Sequence, residues 1–178
     1  MSIWKFLGLG TGKEAAEHRS GSAETETVRK IVGALDRMEP EQARYLAAFA
    51  YNLSRVAYAD RDISDAETRA MERLIMEKGG LPEEQAILVV QMAKTQSLLF
   101  SGTENFLVTR EFNRIATPEQ KLALVDCLFA VSAADRSIST VEDNEIRQIC
   151  KEMLLSHSDF IAVRLRYKDH LASKKPAE

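Results

Sequence analysis

Cysteine, aromatic residues and long apolar runs are all scarce in this chain of 178 residues. Only two cysteines occur, Cys127 and Cys150, and neither belongs to a CxxC or a close Cys/His pair. That excludes the common zinc patterns and a disulfide-stapled secreted scaffold; both read as buried thiols among apolar helical neighbours. Aromatics make up 7% of the chain, and the Val, Ile and Thr runs that build strands are missing. No apolar run approaches the roughly 20 residues that a membrane-crossing helix needs. A surplus of positive charge is absent too: the net charge is −3, so the chain as a whole has no strong pull toward nucleic acid. The basic residues that do cluster, Arg164, Arg166, Lys168, Lys174 and Lys175, read as a solvated helix face and tail rather than a contact for RNA or anionic lipid.

What remains is 45% apolar and 29% charged, the balance of a globular protein. Ala, Leu, Glu, Arg, Lys and Gln dominate, and these are good helix formers. Residues 1–25 read as a flexible amino-terminal segment, residues 26–170 as one helical domain and residues 171–178 as a disordered tail. Within the first segment Ile3, Trp4, Phe6 and Leu7 form a short greasy patch broken by Lys5, too short for a secretory signal. It is expected to pack on the domain or stay disordered, with weak membrane-surface contact through Trp4 and Phe6 as the alternative. Gly10-Thr11-Gly12-Lys13 is not a phosphate-binding loop: Leu7 stands where the first glycine belongs and Glu14 where Ser or Thr would hold magnesium.

From Glu24 on, helical faces follow one another. Val28, Ile31, Val32 and Leu35 share one face, with a break at Pro40. Tyr45, Ala48, Phe49, Asn52, Leu53 and Val56 make the next, running to about Asp60. Ser64 opens a helix through Met71, Leu74 and Ile75 that Gly79-Gly80 closes. Pro82 is placed as a first-turn proline of the helix carrying Ile87 and Val90. After a helix from Phe106 to Ile115, Thr117-Pro118-Glu119-Gln120 is a capping box with a first-turn proline. Ser139 and Ser156 cap the last two helices, with Ile146, Ile149, Cys150 and Met153 inward on one and Phe160, Val163 and Tyr167 on the other. The expected fold class is all-α, a compact bundle of about seven to eight short helices.

Two segments of this pattern repeat. Ala57 to Glu67 and Ser132 to Glu142 match at Ala59/Ala134, Asp60/Asp135, Arg61/Arg136, Ile63/Ile138, Ser64/Ser139 and Glu67/Glu142, at a constant offset of 75 residues. Beyond them Met71 aligns with Ile146 and Leu74 with Ile149. Each unit reads alike: a helix ends near the Asp, the Ile points inward, the Ser caps the next helix and the Glu completes a capping box. Two helix-turn-helix units related by a pseudo-twofold are expected.

The phrase Ala-Asp-x-x-Ile-Ser-x-x-Glu, ending one helix and starting another, resembles the TerB-like tellurite-resistance family, which is itself similar to the amino-terminal domain of the co-chaperone DjlA. The resemblance covers about residues 26–170 and is stronger in the second unit. Arg61 and Arg136 stand where the family pattern has glycine, so the turn is expected to be more open. The resemblance implies an all-helical, cytoplasmic or membrane-associated protein linked to tellurite resistance and stress response. It implies acidic residues that bind divalent metal, and no established enzymatic activity.

Two roles fit the repeated acids. Asp60, Asp62, Asp65 and Glu67 in the first unit, and Asp135, Glu142, Asp143 and Glu145 in the second, supply the oxygens that calcium, magnesium, manganese or zinc would draw on. The cation candidates are Asp60, Glu67, Asp135, Glu142 and Glu145. Neither unit is an EF-hand, because Asp65 and Thr140 stand where that loop needs glycine and Met71 and Ile146 where it needs glutamate. The structural reading makes Glu67 and Glu142 capping residues, Asp60 and Asp135 turn residues and the rest first-turn acids favoured by the helix dipole. Catalysis is not expected: His18, His157 and His170 have no Ser or Cys partner in sequence context. The chain therefore reads as a binding module, cytoplasmic or peripheral to the inner face of a membrane. It is either a cation module or an adaptor for a protein partner, with Leu98, Leu99 and Phe100 as candidate contacts.

Overall fold

The computed structural model describes residues 23–57, 65–95, 105–134 and 137–172. Among these the chain forms eight α-helices and one short 3-10 turn: α1 Ala23–Leu35, α2 Pro40–Ala57, α3 Asp65–Glu77, α4 Glu83–Lys94, α5 Asn105–Ile115, α6 Pro118–Ala133, α7 Thr140–Glu152, α8 His157–Leu165, then Lys168–His170. The all-α bundle expected from the periodicity is the fold.

The helix starts have local causes. Thr117 Oγ1 accepts from the Gln120 backbone N–H at 3.2 Å while Gln120 Oε1 accepts from the Thr117 N–H at 2.8 Å, so two orphan donors of α6 are satisfied at once. Ser139 with Glu142 repeats this at α7, and Ser156 with Asp159 at α8. Pro40 is the first residue of α2, where its missing N–H costs nothing. Pro82 differs from expectation by one place: it is the N-cap of α4, extended at ψ 155°, and has no side chain to cap with.

Two helices are buried nearly all round and form the centre. In α2 every residue from Leu46 to Ser54 is buried, and in α6 every residue from Cys127 to Ser132. A helix without a polar face has to be enclosed by others. Accordingly α2 packs on α4, α5, α6 and α7, while α6 packs on α2, α3, α7 and α8. Phe49, Phe112 and Phe129 are the largest fully buried side chains, each worth roughly 1.5–3 kcal/mol of burial. Tyr45 stacks on Phe112 at 5.3 Å, and Tyr167 stacks on Phe129 at 5.6 Å although α8 has already ended at Leu165.

The segment after α8 folds back. Ile138, the buried staple before α7, donates its N–H to the His170 carbonyl and accepts from Ala172 N–H at 2.9 Å, a parallel bridge with Leu171. Ordered pairing thus reaches two residues into the stretch read as tail, and α1 begins inside the stretch read as linker. The Tyr167 hydroxyl, 2.9 Å from Asp126 Oδ1, fixes the return to α6.

Candidate functional site

Asp60, Asp62 and Asp135 lie outside the described residues, as do Trp4, Phe6, Leu98, Leu99, Phe100 and His18. Of the first unit's acids, Asp65 and Glu67 stand exposed in the first turn of α3, and Glu67 is engaged by a neighbouring group.

The second unit's described acids, Glu142, Asp143 and Glu145, are placed close together on α7, each facing a different partner. Glu142 Oε2 accepts from the Ser139 N–H at 2.8 Å, and Ser139 Oγ accepts from the Glu142 N–H at 3.2 Å. The next residue, Asp143, is buried. Arg164 of α8 grips it with two donors, Nε to Oδ1 at 2.7 Å and Nη2 to Oδ2 at 3.1 Å, the fork geometry that makes an arginine–carboxylate pair strong. Glu145, one turn past Glu142, accepts from Arg55 Nε at 2.7 Å.

Arg55 is the hub of a network between α2, α5 and α7. Its side chain is 6% exposed. Nε serves Glu145, and Nη1 donates to Glu152 Oε2 at 2.7 Å and to Thr109 Oγ1 at 2.9 Å. Thr109 passes the chain on to Asn52 Oδ1 at 3.0 Å, and Asn52 Nδ2 donates to the Ala48 carbonyl. Gln148 supports Glu152 from the preceding turn of α7 at 3.1 Å. Burial by itself would lower the Arg55 pKa, yet the hydrogen bonds it donates to Glu152 and Glu145 raise it, so the guanidinium stays charged. Burial pushes the Glu152 carboxyl up, and the hydrogen bonds from Arg55 and Gln148 outweigh that and hold it below its ordinary value. Two carboxylates around one guanidinium leave a local excess of one negative charge, and Glu145 carries the more exposed of them.

Chemically, this arrangement clamps helices together. A divalent cation at Asp143 or Glu145 would stand beside a guanidinium already bonded to that carboxylate, and the like charges repel. Among the described residues no three His, Cys, Asp or Glu side chains converge as metal ligands. The thiols of Cys127 and Cys150 are free and buried, and burial pushes each up to about 12, with Asp126 and Asp159 adding to it. Protonated thiols of this kind are poor nucleophiles.

Sequence reasoning passed over Arg55, Thr109 and Glu152. The signal was there in outline: Arg55 lies between Leu53 and Val56, both on the inward face of the helix, and a cation beside an inward face needs an anion across the interface. Glu145 and Glu152 are seven residues apart, two turns along one face of α7.

A family model described as Tellurite resistance protein TerB matches residues 46–165, from α2 to the last residue of α8. No curated protein and no solved structure matches the chain. The family match takes in both repeat segments, the Arg55 network and the Asp143–Arg164 clamp, which is most of the folded domain and about two thirds of the chain. The chain belongs to the TerB family of tellurite resistance proteins.

Proposed function

We propose that this chain is a non-catalytic binding module of the tellurite and stress response, and that it acts in the cytoplasm through a protein partner rather than through a cation held by its repeated acids. One observation carries the reading. Each described acid of the second unit already has a protein partner: Glu142 the Ser139 backbone, Asp143 the Arg164 fork and Glu145 the Arg55 guanidinium. Carboxylates committed in this way hold α7 to its cap, to α8 and to α2, and a cation would have to compete with two arginines for them. The family match supports the link to tellurite resistance.

The competing reading is a divalent-cation module built on Asp60, Glu67, Asp135, Glu142 and Glu145. Thermal unfolding with calcium, magnesium, manganese or zinc separates the two, run on wild type and on Asp135→Asn/Glu142→Gln. A ligand that binds only the folded state at 100 times its Kd adds about 2.7 kcal/mol. The adaptor reading expects no ion-dependent rise in the midpoint of either protein. A rise in wild type that the double variant loses would establish the cation module instead.

A further inference from the structure

The repeat crosses itself twice, and the two crossings are filled differently. Helices α3 and α7, Asp65–Glu77 and Thr140–Glu152, keep the 75-residue offset at both ends. Each half's first helix packs on the other half's second: α2 on α7, and α6 on α3. Shifted by the same offset, the Arg55 position becomes Ala130, Glu145 becomes Ala70, Gln148 becomes Arg73 and Glu152 becomes Glu77. Those four residues, Ala70, Arg73, Glu77 and Ala130, all line one cavity of about 420 Å³. Where one crossing is plugged by a guanidinium between two carboxylates, the corresponding crossing has alanines at the Arg55 and Glu145 positions and is open among the described residues.

The open crossing has its own electrostatics. Among the described residues, Arg73, Lys78, Arg166 and His170 line it against a single carboxylate, Glu77, in a chain whose net charge is −3. Arg166 and Lys78 reach Asp126 only at 3.5 and 3.9 Å, with side chains 64% and 43% exposed, so both can turn toward an occupant. Arg73 makes no ion pair with a described residue. Beneath this rim the alanine methyls and Leu74 present apolar surface.

We infer that this cavity binds a small organic anion, a carboxylate or phosphate carried on a compact apolar body. The rim cations take the charge and the alanine floor takes the body. The volume falls within the range of about 300–1,000 Å³ usual for small-molecule sites. A bare oxyanion would leave the apolar floor uncovered, and a cationic ligand would meet three permanent like charges. This inference stands apart from the partner-binding reading: either can fail alone, since the cation titration above does not address this cavity.

The test is methyl NMR of the full chain labelled at alanine, titrated with phenyl phosphate and benzoate. Inorganic phosphate, benzamidine and benzyl alcohol serve as comparison probes. The expected result is saturable movement of the Ala70, Ala130 and Ala133 methyls with the two organic anions alone. Arg73→Gln/Arg166→Gln, both at exposed positions, should weaken phenyl phosphate binding about tenfold or more. Ala130→Leu, which fills the floor, should abolish it; if that variant does not fold, the glutamine pair still decides. The inference is overturned by no movement with either organic anion. It is equally overturned by matching movement with benzamidine, benzyl alcohol or inorganic phosphate, or by binding that the glutamine pair leaves unchanged.

Discussion

Where α2 crosses α7, an arginine of one repeat unit sits between two glutamates of the other; where α6 crosses α3, alanines stand at the positions of the arginine and of Glu145, a glutamate stays at that of Glu152, and the described residues line a cavity. The second helices of the two units, α3 and α7, have the same length and keep the 75-residue offset at both ends. The residues at the crossing itself are free to diverge. One crossing has become a clamp, and the other has kept room and gained a cationic rim.

The largest effect that breaks this comparison is Arg55→Met. It leaves Glu145 and Glu152 facing each other without their cation, and it should cost about 3–5 kcal/mol in urea unfolding. The corresponding change on the open side, Ala70→Gln, adds a side chain next to a cavity and should cost less than about 1.5 kcal/mol. Equal costs at the two places would mean that the crossings do not differ in this way.

Acid sharpens the comparison next. Burial raises the Glu152 carboxyl but Arg55 and Gln148 bring it below the ordinary 4.5. A carboxyl whose folded pKa is depressed contributes stability above its unfolded value and loses it as pH falls through the folded one. Stability should therefore be level at neutral pH and decline below about pH 4.5, and Glu152→Gln should remove part of that decline. A Glu152→Gln protein whose acid limb is as steep as wild type would assign the loss to other carboxyls.

Smaller effects lie at the cap and the turn. Ser139→Ala should cost about 1 kcal/mol by midpoint shift, whereas Glu142→Gln should cost almost nothing, because Gln120 closes the same box at Thr117. The turns after α3 and α7 both need a residue in the left-handed region: Gly80 at φ 69° in one and Leu154 at φ 58° in the other. Leu154 is 80% exposed, and its N–H reaches the Lys151 carbonyl while Leu155 N–H reaches Cys150, the helix-ending pattern that glycine usually serves. Leu154→Gly should raise stability by less than about 1 kcal/mol, strain relief exceeding the added freedom of the unfolded chain, and Gly80→Ala should lower it by about 1 kcal/mol.

The capped starts at Thr117, Ser139 and Ser156 were legible in the sequence because a cap is local: two residues three positions apart decide each. The buried face of α2 was legible because periodicity reports burial. Arg55 was not, since its partners lie 90 and 97 residues away and no local pattern carries such a distance. The return of Leu171 to Ile138 was hidden for the same reason. Glu142 and Glu145 look like neighbours on a helix and like a cation's ligands; only the fold reveals that they face a backbone N–H and an arginine respectively.

The most direct test of that last point is a double-mutant cycle between Arg55 and Glu145, using Arg55→Met and Glu145→Gln, by urea unfolding in chelator-treated buffer. If Glu145 is a structural partner of Arg55, the two changes should be non-additive, with a coupling of about 1 kcal/mol within the 0.5–3 kcal/mol seen for contacting groups. If Glu145 is instead a ligand waiting for a cation, Glu145→Gln should leave ion-free stability unchanged and the cycle should close to additivity, which would contradict the account.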